Sequence, residues 1–304
     1  MIGTKMSPAN HKLGHPGQQS MRRRILRGRT RVHLLSFYTE GPPNDAGSDL
    51  TGPARELENA AKPFFDSILF ATPRQLIRAD ASWRVRLRDM SEEITGHPEF
   101  ESSLRWQRGW ARLGLFSWKP RLILHRLLSS DVASEDIVLY HDSDCSKYPE
   151  YLRGIPRWGP WLRRIMKGFD VLVFRDNRAR LVSDTKPELW EQFFREVDVR
   201  DLKHLWAGAV AVRKTAAGVG FIRKWDTLAK DFGNLSPITR AAGETGFAQH
   251  APDQAILTCL RHCRREWPEG FRLREVYLRG LRTIPPKTKI TDSESWWTGI
   301  GKIQ

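Results

Sequence analysis

The sequence predicts a single α/β domain with a mostly parallel central sheet flanked by helices. Three observations carry this expectation. Short apolar runs such as Val32–Tyr38, Ile137–Tyr140 and Leu205–Val212 are almost unbroken, as in strands buried on both faces of a parallel sheet. Helix-period segments separate these runs, in the β-α-β-α order that favours right-handed crossovers. Finally, 304 residues with 40% apolar content suffice for one large core.

In chain order, Val32–Tyr38 is the first predicted strand, ending in the Gly- and Pro-rich loop Thr39–Asn44. Pro53–Lys62 reads as a helix, Phe64–Phe70 as a strand, and Thr72-Pro73 as the start of a short helix. Ala79–Ser117 has weak periodicity and many Arg, Trp and Gly residues, so it reads as a helical excursion or a flap. Trp118-Lys119-Pro120 opens a helix with Leu122, Ile123, Leu124, Leu127 and Leu128 as its apolar stripe. A helix from Pro149 is predicted to break between Gly154 and Pro160 and resume to Lys167. A short strand over Asp170–Phe174, a helix over Lys186–Arg195, the Leu205–Val212 strand and a helix over Ala216–Phe232 follow. Gly233–Gln249 reads as a loop, and Pro252-Asp253-Gln254 starts a helix carrying Ile256, Leu257 and Leu260 inward.

The chemistry centres on Ile137–Asp144. The strand ends in Asp142-Ser143-Asp144, and residues two apart on extended backbone share a face. Two hard oxygen donors at a strand's carboxyl end suit Mg²⁺ or Mn²⁺, with phosphate oxygens completing the shell. That end of a strand is also where open α/β sheets bind ligands. An Asp-Ser turn explains the same residues without function. Lys119 stands at a helix start, where the dipole offers a cation nothing; an anionic partner would explain it, as would simple solvation.

The order of four segments resembles GT-A fold glycosyltransferases, the broad bacterial and viral set related to glycosyltransferase family 8. They are Phe116-Ser117-Trp118-Lys119-Pro120, the strand ending at Asp144, Leu205-Trp206-Ala207-Gly208-Ala209 and His250-Ala251-Pro252-Asp253-Gln254. The likeness covers roughly residues 31–285. It implies a Rossmann-like GT-A domain that moves a hexose from a nucleotide-diphosphate sugar to a hydroxyl acceptor on a glycan, lipid-linked carrier or protein. The resemblance implies further that Asp142 and Asp144 hold Mn²⁺ or Mg²⁺ and that Lys119 reaches the donor diphosphate or sugar. Tyr38 and Thr39 would contact the base and ribose. Ala207 and Gly208 would let the backbone approach the sugar, unless that glycine marks a bulge. Asp253 and Gln254 would orient the sugar, although an Asp in a first helical turn is equally a cap. His250 is a third metal ligand, a diphosphate contact or a plain loop histidine. Family 8 places a histidine late in the chain for metal; here the end reads Trp296-Trp297-Thr298-Gly299 instead. The order of motifs favours retention; an inverting enzyme would need Asp253 or Glu244 as base.

Charge sets the remaining bounds. The formal net charge is +15, and residues 1–31 hold eight Lys or Arg and no acid. Residues 1–30 therefore read as a disordered basic arm ahead of a domain over 31–304. With no transmembrane run, no apolar leader and three cysteines outside any disulfide framework, the expectation is a cytoplasmic protein whose arm could touch an anionic membrane. Cys259 and Cys263 read as buried small apolar residues. Trp106, Trp110 and Trp118 read as exposed platforms for a sugar or for single-stranded nucleic acid. A basic nucleic-acid-binding protein is the rival from another class, and a metal-dependent nucleotidyltransferase or phosphohydrolase is an enzymatic one. Two carboxylates ending a buried strand repel phosphate unless a cation intervenes, so nucleic acid is not the expected partner.

Overall fold

The computed structural model describes residues 29–39, 50–82, 116–144, 149–194, 199, 201–236, 239 and 250–277. Contacts divide the chain after Thr30, and the elements below all belong to the part that begins at Arg31. Residues 1–28 of the basic arm, most of the Ala79–Ser117 excursion, Cys145, Glu244 and the Trp-rich end lie outside the described residues.

Strands β1 (Val32–Phe37), β2 (Ser67–Ala71), β3 (Ile137–His141), β4 (Val171–Arg180), β5 (Lys203–Arg213) and β6 (Leu273–Tyr277) form one sheet in the order β2-β1-β3-β5-β4-β6. Helices α1 (Thr51–Ala61), α2 (Pro73–Ala79), α3 (Trp118–Leu128), α4 (Pro149–Ile165), α5 (Leu181–Asp184), α6 (Pro187–Phe193), α7 (Ala216–Leu228), α8 (Phe232–Leu235) and α9 (Pro252–His262) connect or cover them. The α/β class stands, but the sheet is mixed rather than mostly parallel. β5 runs antiparallel to both β3 and β4, while β1 pairs parallel with β2 and β3, and β4 with β6. Apolar runs report burial on two faces and carry no sign for strand direction.

Alternation along each strand sends side chains to two separate cores. Leu35, Val138, Tyr140 and Val210 join one cluster with residues of α3, α7 and α9. Leu34, Leu139, Ala209 and Ala211 join the other with residues of α1 and α4. This is the period-two rule applied to a three-layer sandwich. Cys259 and Cys263 are free and buried, and burial raises the Cys259 thiol, so that cysteine packs rather than reacts.

Several local expectations hold. Thr72 accepts from the Gln75 backbone N–H while the Gln75 side chain accepts from the Thr72 N–H, a complete capping box at α2. Two others fail for identifiable reasons. α4 is continuous through Pro156 and Pro160. Both prolines are exposed, so water can satisfy the carbonyls they leave unpaired, while Ile155, Trp158 and Leu162 hold the inner face. Its Gly159 packs tightly: a Cβ there would stand 3.1 Å from the Phe64 carbonyl oxygen, which would have to give by a few tenths of an ångström. In α3, Leu122, Ile123, Leu124 and Leu127 are buried as expected, but Leu128 is 51% exposed at the last turn.

The amino-terminal end of the sheet is tied by Asp136. It accepts from the backbone N–H groups of Arg31 and Ala133 and from the Arg31 guanidinium. His33 Nε2 donates to it at 3.2 Å while His33 Nδ1 accepts from the Ser67 hydroxyl at 2.7 Å. Burial holds the His33 ring below its ordinary range, so this contact is a neutral hydrogen bond rather than an ion pair.

Candidate functional site

The carboxyl ends of β1 and β3 open into a cavity of about 250 Å³. Its walls come from six places: Phe37 at the end of β1, Leu50 before α1, Asp142–Asp144 after β3, Trp206 and Gly208 on β5, Phe116, Trp118 and Lys119 at the start of α3, and Ala251, Asp253 and Gln254 at the start of α9. The two helices point their N-termini at the same space, and such ends favour anions.

Lys119 is the centre of this arrangement, in a different role from the one expected. Its side chain is 2% exposed. The ammonium donates to Asp253 Oδ2 at 2.5 Å and to the Ala207 carbonyl at 3.1 Å, and it lies 3.3 Å from Asp142 Oδ1. An ammonium has three donors, and these partners use all three. Burial alone would pull its pKa down; Asp142 and then Asp253 outweigh that and raise it. Phe116, Trp118 and Tyr140 also present ring faces to the ammonium at 5.3–5.7 Å. The anion that explains a cation at this helix start is therefore the protein's own. Lys119 ties α3 to α9 and β3, with no donor left for a diphosphate.

Asp142 is positioned from two sides. The Tyr140 hydroxyl, two residues back on the same strand face, donates to Asp142 Oδ1 at 2.5 Å. Burial, followed by the Asp142 charge, pushes the Tyr140 phenol well above its ordinary range, so it remains a donor. The Asp142 backbone N–H donates to the Gly208 carbonyl at 2.8 Å. The His141 ring donates from Nδ1 to the Asp142 carbonyl at 2.9 Å. That ring lies tilted against Trp158, 4.8 Å between centroids, and burial lowers it to about 4, so it stays neutral. The Ser143 hydroxyl donates to the Phe37 carbonyl at 2.9 Å, which fixes the turn between the two acids. Asp142 is 29% exposed along its side chain and Asp144 is exposed; both face the cavity.

Among the described residues no group of three His, Cys, Asp or Glu side chains is placed to hold a metal ion. The carboxylates that line the cavity after β3 are Asp142 and Asp144, and a cation held there would draw its remaining ligands from water or a bound phosphate. His250 does not join them. It is fully buried and absent from the cavity wall. Its Nδ1 accepts from the Lys186 backbone N–H at 3.4 Å, and its Nε2 donates to the Asn234 carbonyl at 2.9 Å. Burial, then the Lys186 charge, lowers this ring to about 3. The histidine holds loop backbone together and is no metal ligand here.

The other expected contacts divide. Gln254 lines the cavity, and Asp253 lines it while bound to Lys119. Tyr38 and Thr39 are not among its lining residues. Tyr38 packs its ring 6.5 Å from Phe70, and the buried Thr39 hydroxyl oxygen has no partner among the described residues. Ala207 contributes its carbonyl rather than a small side chain. Gly208 does line the cavity, but its open space is taken: a Cβ would fall 2.3 Å from the Trp206 indole. The glycine makes room for Trp206, and the indole forms that part of the wall.

Sequence reasoning missed Tyr140, Phe116 and Trp206. Tyr140 was findable, since it lies two positions before Asp142. Phe116 is found only in the backbone, where φ is +68°, a conformation bulky residues rarely adopt and which clusters at functional sites. Trp118 is not the exposed platform expected; it is 3% exposed and stacks on Phe37 at 3.8 Å.

Comparison with models of known protein families gives no match, and comparison with curated proteins gives none.

Proposed function

We propose that the chain transfers a hexose from a nucleotide-diphosphate sugar to a hydroxyl acceptor, using Mn²⁺ or Mg²⁺ held by Asp142 and Asp144. The observation that carries this reading is the formal charge of the cavity wall. Asp142, Asp144, Asp253 and Lys119 are the charged groups among the described lining residues, a formal sum of three negative and one positive charge. An anionic diphosphate gains access to such a wall only together with a divalent cation. A bound cation would act as a Lewis acid on the diphosphate and offset charge on the leaving group. The assignment to a GT-A type, Rossmann-like fold belongs to the same proposal.

The chain's own residues then divide the work. Tyr140 and Lys119 hold the Asp142 carboxylate in one orientation, which matters because catalytic positioning is sensitive to about 1 Å. Gln254 offers an amide to sugar hydroxyls. The start of α9 supplies backbone N–H groups to an anion. Asp253 is engaged with Lys119 and is poorly placed to act as a general base, which favours retention, where no protein carboxylate need deprotonate the acceptor. At about 250 Å³ the cavity is below the usual range for small-molecule sites, so its described walls match a diphosphate and part of a sugar, with the nucleoside extending beyond them.

A panel of nucleotide sugars with Mn²⁺, read by thermal shift and nucleoside diphosphate release, tests this. Release that disappears in Asp142→Ala and Asp144→Ala supports it. Nucleoside monophosphate as product would mean attack at phosphorus and would replace sugar transfer with nucleotidyl transfer. Full turnover in both variants would remove the acids from the chemistry.

A further inference from the structure

We infer that the outer face of α4 docks the protein on an anionic lipid membrane. Arg153, Arg157, Pro160 and Arg164 succeed one another at spacings of four, three and four, so they share one side of the helix, and Lys167 follows in the turn just after it. The stripe is about 20 Å long at 1.5 Å per residue. The opposite side carries Ile155, Trp158, Leu162 and Ile165, all buried against the sheet. Arg153, Arg164 and Lys167 are exposed and make no ion pair among the described residues. Three exposed cations along one flank, Arg153, Arg164 and Lys167, need an anionic surface that spans them, or only solvent.

A second feature separates those two outcomes. Phe64 is 39% exposed, and its carbonyl lies against Gly159 of the same helix. Pro63 beside it in the chain, and Pro156 and Pro160 on the helix, are exposed as well. An apolar ridge beside a row of cations matches the boundary between lipid headgroups and acyl chains. It matches a nucleic acid poorly, because proline and phenylalanine offer no donors to phosphate or sugar and Pro lacks even a backbone N–H. The apolar side of α4 is already packed on the sheet, so contact is peripheral rather than insertion of the helix. This inference does not depend on the sugar-transfer reading, since it uses no residue of the cavity.

The test is sedimentation of the full chain with phosphatidylcholine vesicles, with and without phosphatidylglycerol. Binding only to the anionic vesicles, weakened by salt, is expected. One basic side chain near an anionic surface is worth about fivefold in partitioning, so the triple variant Arg153→Gln, Arg164→Gln, Lys167→Gln should lose about a hundredfold. Phe64→Ser should lose binding separately, and melting curves confirm that both variants fold. The basic arm remains in every variant. Undiminished binding by the triple variant would therefore assign the contact to the arm and overturn the inference. So would absence of vesicle binding by the wild type, or loss of oligonucleotide binding in its place.

Discussion

Replacing Lys119 with Met removes one charge and leaves a similar volume. The consequences follow from what the ammonium touches. Asp253 is 6% exposed along its side chain and sits 2.5 Å from Nζ; without the lysine it becomes a buried carboxylate with no counter-charge. The Ala207 carbonyl loses its donor as well. Asp142, at 29% exposure, can recover some hydration, so it adds less. Breaking a buried pair by deleting one partner costs about 3–5 kcal/mol. In a domain of this size each kcal/mol moves the melting temperature by about 2–4 °C, so a drop of roughly 10 °C is expected in differential scanning fluorimetry. The variant also makes the wall more negative by one charge. Mn²⁺ should therefore raise the melting temperature of Lys119→Met by more than it raises the wild type. Adding Asp253→Asn should restore part of the lost stability, because the two residues share one interaction. A Lys119→Met protein that melts within about 2 °C of wild type would refute the idea that this lysine is an internal strut.

Three other outcomes follow from the same geometry. Tyr140→Phe keeps the ring and deletes a hydrogen bond to a carboxylate, so stability should fall by about 1.5–3 kcal/mol in urea denaturation, and any metal-dependent turnover should fall with it. Gly208→Ala places a methyl where the Trp206 indole now lies; the ring must move, which should appear as a changed tryptophan emission spectrum and weaker ligand binding. Asp136 is held below its ordinary carboxylate range: burial opposes this, but hydrogen bonds from Arg31 and Ala133 prevail. Its contribution is therefore present above the unfolded-state value near 4 and is lost as pH falls through the lower folded-state value. Acid titration of stability should be shallower below about pH 4 in Asp136→Asn than in the wild type.

Much of the architecture could be read in advance because it rests on local signals. The apolar runs of β1, β3 and β5 report burial directly, and Thr72-Pro73 with Gln75 states its own helix start. Direction is another matter. Nothing in Leu205–Val212 distinguishes a parallel from an antiparallel neighbour, because that choice is made by how α5 and α6 return the chain after β4. The prolines of α4 signal a break only when their solvent exposure is unknown. At the site, Asp142-Ser143-Asp144 was legible because it is contiguous. Lys119 was half legible: its place at a helix start announced a missing anion, but Asp253 lies 134 positions later, and no pattern in a single sequence joins them. For His250 the sequence leaves a metal ligand, a diphosphate contact and a plain loop histidine open; only three-dimensional placement shows both ring nitrogens turned to backbone groups.

Mn²⁺ electron paramagnetic resonance is the most direct examination of the cavity. Free Mn²⁺ would be titrated with protein in the presence and absence of a nucleoside diphosphate. The account predicts that the wild type removes the free-ion signal, more strongly with the diphosphate present, and that Asp142→Asn with Asp144→Asn leaves it unchanged. A wild-type protein that leaves the signal intact under both conditions, or a double variant that binds as the wild type does, would contradict it.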